Sequence, residues 1–217
     1  MTDGPVTPPP PPPPPPGGAP GAPASMVDRV KNILTSPAAE WARIDTEAAS
    51  IGGLITGYAL ILAAIAPIAM LIGLFLTPMG SYLTSAPSFL IKVVLVVYLI
   101  SLGTVVLLGF IIDLLAPNLG GTKNGVQAMK LAVYAGTAFW VAGLVLILPD
   151  LWFLWMIIGV GYGGYLIWLG LPILMKVPAD KAPVYAGAAI GIWVVIFLIL
   201  QQVGFRVMWS GMYYGGL

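Results

Sequence analysis

Five uncharged, strongly apolar runs decide most of what this chain can fold into. They are Ile51–Leu76, Val93–Ile112, Leu131–Pro149, Leu151–Met175 and Ala182–Phe205. A hydrocarbon core of roughly 30 Å needs about 20 apolar residues of helix to cross it, and each run meets or nearly meets that length. The helices carrying them are placed at about 51–76, 88–115, 128–149, 151–176 and 182–204. The expected fold class is therefore all-α: a polytopic five-helix transmembrane bundle. The lipid bilayer is its first partner.

Charge content agrees. Only 8% of the 217 residues are charged, against about 25% in a soluble domain. Residues 51–205 form the membrane domain, 206–217 a short external tail, and no second folded domain has room. The net charge of +1 lacks the basic clustering that marks a nucleic-acid partner. Absence of cysteine and histidine removes disulfides, thiolate nucleophiles and most zinc or copper sites. No metal or cofactor is expected.

The leading segment is different in kind. Pro8–Pro16 is an unbroken proline run, followed by Gly17, Gly18 and further Gly, Ala and Pro residues to Pro23. There is no basic start with an apolar run behind it, so no secretory signal is expected. Proline fixes φ and removes a donor, which predicts an extended polyproline rod in a disordered cytoplasmic tail over residues 1–25. Its functional reading is a ligand for a proline-binding module or a spacer; the bland one is a low-complexity tail.

Residues 26–50 read as an amphipathic lead-in. Met26, Val27, Val30, Ile33 and Leu34 recur at helical spacing, with Asp28, Arg29, Lys31 and Asn32 on the other face. Pro37 interrupts, and Trp41, Ile44, Ala48 and Ile51 continue an apolar stripe. Such a segment lies in the membrane interface or packs on the bundle's own loops.

Orientation follows from Lys and Arg, which favour cytoplasmic loops. Arg29, Lys31, Arg43, Lys123, Lys130, Lys176 and Lys181 fall on one side of the spans, Lys92 and Arg206 on the other. The amino terminus is thus expected inside the cell and the carboxyl terminus outside. Lys92 can snorkel outward.

Helices in lipid associate through small residues, and Gly53/Gly57, Gly159/Gly163 and Gly187/Gly191 carry the Gly-x-x-x-Gly spacing. Bundle packing is their first reading, self-association the second. Pro67 should kink span one. Pro117, Pro172, Pro178 and Pro183 should end helices, and Pro149 with an Asp150 N-cap should make a tight outer hairpin. Trp140 and Trp193 are expected to pack inside. Asp113, at the inner end of span two, is expected to pair with Lys123, Lys130 or Lys176. Gly120–Lys123 (GGTK) lacks the spacing of a phosphate loop, and no nucleophile elbow or carboxylate pair appears. No catalytic residue is assigned.

Three stretches carry a family likeness: Ile33–Asp45 (ILTSPAAEWARID), Leu114–Trp140 (LLAPNLGGTKNGVQAMKLAVYAGTAFW) and Tyr162–Ala186 (YGGYLIWLGLPILMKVPADKAPVYA). The last is the most specific, with Tyr-x-x-Tyr-Leu, Gly-Leu-Pro and Met-Lys-x-Pro. Over roughly residues 27–200 the chain resembles the Yip-one family of Ypt/Rab-interacting membrane proteins, most of all its bacterial branch. The resemblance implies five spans, a cytoplasmic amino terminus and a bacterial plasma membrane. Eukaryotic relatives bind Rab-type GTPases and one another, whereas no Rab partner is implied for bacterial members. The family often shows a Ser-x-x-Pro-like break after the tyrosine of span three; here Ala135 and Ala138 follow Tyr134, implying a straighter helix. It has no agreed catalytic site.

The leading expectation is a non-enzymatic scaffold or adaptor presenting its inner loops to other membrane proteins or to itself. Asp113, Lys123, Lys130, Tyr134, Tyr165, Lys176 and Pro178 are the candidate architectural or partner-facing residues. The alternative is a small transporter or channel subunit using the Pro67 kink, the glycine-rich span four and Asp113.

Overall fold

The computed structural model describes residues 24–78 and 87–214, with side chains from 88 to 207 in the second stretch. The proline run and its proposed ligand role lie outside the described residues. Every described element is helical. Five helices are long and apolar enough to cross a membrane: Ile51–Phe75, Ser88–Leu115, Gly125–Ile147, Pro149–Leu174 and Ala182–Val207. The last continues as helix to Tyr214.

Two short helices precede the spans. In α1 (Met26–Thr35), the Ser25 hydroxyl accepts the Asp28 amide at 3.2 Å and donates to its carboxylate at 2.6 Å, closing two groups at a helix start that would otherwise be unpaired. α2 (Pro37–Thr46) begins on proline. A residue before proline is pushed out of the helical region, and Ser36, at φ −144°, is where the two helices part.

Span three is the hub. Of its most apolar stretch, 72% is buried, against 28% for span five, and it packs on spans one, two and four and on α1. It runs as uninterrupted α-helix from Gly125 to Ala142, with no break after Tyr134. Tight approach of span four depends on small residues. A Cβ at Gly159 would meet the Phe139 ring at 2.8 Å, and one at Gly163 the Trp193 ring at 2.6 Å. Trp140 and Trp193 are buried, and Trp140 donates its indole N–H to Ser101 at 2.6 Å.

Span one is irregular. Residues Ile55–Ala59 form a π-helical turn, Ala63–Ala64 break the α pattern, and α-helix resumes at Ile65. Pro67 lacks the N–H that Ala63 would receive, so the break falls one turn ahead of the proline rather than on it. The Ala64 amide turns to Ile61 at 3.4 Å, and the Leu60 carbonyl instead accepts the Tyr98 hydroxyl of span two at 2.9 Å. Irregular backbone at membrane depth survives only when such partners exist.

The connection between spans three and four departs from expectation. Span three ends in a 3-10 turn (Gly143–Ile147), and Pro149–Leu151 forms another. The α-helix of span four starts at Trp152 with Leu151 in the capping position, so Asp150 is not its N-cap. Asp150 instead lies in the preceding turn, where a carboxylate still meets the positive end of the helix. At the other end Pro172 sits inside span four, two residues before its end at Leu174, and Pro183 opens span five rather than closing a helix.

Candidate functional site

Both lead-in helices dock on one end of the bundle. Ile33, Trp41 and Ile44 are fully buried. Trp41 lies flat against Gly170 of span four, where a Cβ would come within 2.6 Å of the indole. Arg29 belongs to this buried face, not to the polar face the spacing suggested; it is 3% exposed, while Val27, read as apolar stripe, is 77% exposed.

The charges on this face close on one another. The Arg29 guanidinium bonds Glu40 and Glu47 and lies 5.1 Å over the Tyr134 ring. Arg43 Nε approaches Glu47 Oε1 at 3.1 Å. Burial works against the Arg29 charge, but the hydrogen bond and charge of Glu47, helped by Tyr134 and Glu40, win. Its pKa is raised above the ordinary guanidinium value, so the cation persists at any working pH.

Side chains from the spans then hold the carboxyl ends of both lead-in helices. Lys130 of span three donates to the carbonyls of Ile44 at 2.8 Å and Glu47 at 2.5 Å. Gln127 donates to the Asp45 carbonyl at 3.0 Å, and Lys176 pairs with the Asp45 carboxylate at 2.5 Å. Tyr162 of span four donates to the Leu34 carbonyl of α1 at 2.7 Å. The last carbonyls of a helix lack intrahelical partners and carry its negative pole. A buried lysine and a tyrosine there fasten α1 and α2 to the membrane helices. Lys176 takes a left-handed backbone, φ 53°, a helix-ending conformation usually left to glycine.

Of the residues singled out from sequence, Lys130, Tyr134 and Lys176 meet in this cluster. Tyr165 is exposed, its ring 5.5 Å from Tyr162. Pro178 is exposed and its carbonyl accepts the amides of Lys181 and Ala182, each at 3.0 Å, turning the chain into span five. Lys123 is exposed. Asp113 stands apart beside Gly125, and its expected pairing is not made: Lys130 holds carbonyls, Lys176 holds Asp45, and no ion pair reaches Asp113 among the described residues. Its Oδ1 is buried without a hydrogen-bond partner there. The loops at this end are tied by Thr122 N to Met175 O at 2.7 Å, and Tyr185 caps the Ile112 carbonyl.

The glycine pairs divide. Gly159 and Gly163 lie in tight contact, as above. A Cβ at Gly187, Gly191 or Gly57 would have nothing within 4 Å, and one at Gly53 would meet only Ser50 Oγ at 3.0 Å. Gly53 and Gly57 wall a cavity of about 270 Å³ between span one, Arg29 and Tyr134.

Sequence reasoning missed Arg29, Glu40, Asp45, Glu47, Gln127 and Tyr162. The available signal was density: three of the chain's eight acidic residues fall between positions 40 and 47, beside Arg43.

A multi-pass helical membrane protein with an ion-paired latch at one end is what these features define. The family model for the Yip1 domain matches residues 31–201, and the chain belongs to the Yip1 family. The match takes in four whole spans, most of the fifth and most of the lead-in; it does not single out a bacterial branch. No curated protein and no solved structure matches the chain.

Proposed function

We propose that this protein is a non-enzymatic membrane scaffold whose latched lead-in is a fixed platform for partner proteins. The observation that carries the reading is the anchoring of α1 and α2 by Arg29, Lys130, Lys176 and Tyr162. Buried charge pairs and capped helix ends add little raw stability, but they hold one geometry. The charged groups brought together are ion-paired or hydrogen-bonded, which suits a rigid surface rather than a reacting centre. Val27, Lys31, Lys123 and Pro178, all exposed, would be presented outward from this end. Seven of the nine cations lie on this side, so we place it in the cytoplasm, with the carboxyl terminus outside. On the resemblance alone, the membrane is a bacterial plasma membrane.

The transporter reading rests on the broken span one and the unpartnered Asp113 oxygen. It is weaker because Asp113 stands alone at a helix end, and a relay needs successive groups.

Photo-crosslinking from position 27 or 123 in native membranes tests the scaffold. A reproducible partner that is lost when Lys130→Met frees the lead-in supports it. Solute or proton flux in liposomes that disappears in Asp113→Asn overturns it in favour of transport.

A further inference from the structure

The end of the bundle that carries the latch also holds an opening the latch leaves unfilled. The cavity of about 270 Å³ beside span one has Arg29, Leu54 and Tyr58 as a buried floor, with Tyr134 partly buried beside them. The Tyr58 and Tyr134 rings meet edge to face at 5.0 Å, forming an aromatic corner. The rim is small and exposed: Ala48, Ala49, Gly53 and Gly57. A Cβ at Gly57 would have nothing within 4 Å, so another backbone can come close there. An ion finds little to pair with, because the Arg29 cation is already met by Glu40 and Glu47.

The chain itself ends at this opening. Ala24 is the first described residue, and Ala24 lines the cavity. Ahead of it lie 23 residues, the last four being Pro-Gly-Ala-Pro at 20–23, and residues 4–24 carry no charge. Proline-rich segments favour an extended polyproline conformation, whose carbonyls lack internal partners and whose rings pack in aromatic grooves. The run Pro8–Pro16 would span roughly 28 Å at about 3.1 Å per residue, far more than a cavity of this volume can take, so only a short segment fits. Tethering lowers the cost of bringing the two together. A short flexible link gives an effective concentration on the order of millimolar, and here the segment is joined directly to the cavity wall.

We propose that residues 20–23 dock in this cavity, prolyl rings against Tyr58 and Tyr134 and backbone carbonyls toward Arg29. A guanidinium carries five N–H donors, more than its bonds to Glu40 and Glu47 use. The tail is then pinned at its root, and the proline run starts from a fixed point at the latch end. A phospholipid headgroup would bring charges that find no counter-charge there, and a second copy would bind without the tether.

The test uses the full-length protein in native membranes, where the absence of cysteine allows defined pairs. Ala22→Cys is combined with Gly57→Cys and, separately, with Gly52→Cys. Gly52 lies on the same helix, is exposed with nothing within 4 Å of its Cβ position, and does not line the cavity. Under mild oxidation the Gly57 pair should close an intramolecular disulfide severalfold faster than the Gly52 pair. Pro20→Ser with Pro23→Ser should bring the two rates together, as should Ala49→Trp, which narrows the mouth; thermal unfolding shows that each variant is folded. If Ala49→Trp fails to fold, the proline substitutions decide. Equal rates in the parent background, or a Gly57 preference that survives either folded variant, overturns the proposal. So does a Gly57 disulfide that forms between two molecules, which would make a second copy the occupant.

Discussion

At the level of single residues, the latch follows from one asymmetry: a buried charge is tolerable with its partners and expensive without them. Arg29→Met would leave Glu40 buried and uncompensated and Glu47 with Arg43 alone, and should cost about 3–5 kcal/mol. Replacing all three, as Arg29→Met with Glu40→Leu and Glu47→Leu, should recover most of that loss, since an apolar substitute for a buried ion cluster is often neutral. Thermal unfolding in lipid nanodiscs reads both. If the triple variant is no more stable than Arg29→Met alone, the cluster is not the cause. Lys130→Met keeps the length and apolar stem but strands the Glu47 carbonyl and leaves the Ile44 carbonyl only the Glu47 amide, and should cost about 1–3 kcal/mol. Lys176 sets opposite effects against each other. Lys176→Gly relieves a left-handed backbone worth about 1 kcal/mol while removing the Asp45 pair, half-exposed on the lysine side and so worth about 0–1 kcal/mol. Lys176→Gly should therefore unfold at a temperature equal to or above that of the parent, and a marked drop would show the ion pair to be the stronger term.

Between elements, contact geometry separates glycines that sequence spacing groups together. Gly163→Leu must displace the Trp193 ring, and overpacking of this kind costs about 1–3 kcal/mol or more. Gly187→Leu and Gly191→Leu project into open space and should stay within about 0.5 kcal/mol. Comparison of the three unfolding temperatures checks the distinction, and a large loss at Gly187 or Gly191 would reveal a packing surface outside this chain, such as a second copy. Gly170 holds the seam between lead-in and bundle. Gly170→Leu should push Trp41 out and expose α2 to protease while the spans stay intact. The break in span one is a related case. Pro67 announced a kink, but its position depended on which hydrogen bond the proline removes and on Tyr98 being available to take up the Leu60 carbonyl. The first is local and legible in sequence; the second is a contact across 38 positions and is not.

Across the whole molecule, what could be foreseen is what depends on local composition. Five spans were readable because the cost of polar groups in hydrocarbon demands long apolar runs, and the motif Tyr162–Ala186 carried the family. The latch was hidden because its bonds join residues far apart: Lys130 to Glu47 across 83 positions, Lys176 to Asp45 across 131. Periodicity even misassigned Arg29, since a polar residue beside an apolar stripe looks solvated unless its two acidic partners are known to fold over it. Asp113 misled in the opposite direction: two of the three expected cations, Lys130 and Lys176, are engaged by the lead-in, and Lys123 lies exposed. Cysteine is absent from the chain, so single cysteines introduced at Lys31, Lys123 and Lys181 can be labelled one at a time. All three should react from the same side of sealed vesicles, with positions 92 and 206 reacting only from the other.

The docking of the lead-in is tested most directly by hydrogen–deuterium exchange of the full-length protein in nanodiscs. Amides from Ile33 to Glu47 should exchange slowly, close to those of span three, and should become fast in Arg29→Met with span three unaffected. Rapid exchange of those amides in the parent protein, at the rate of an unprotected short helix, would contradict the account.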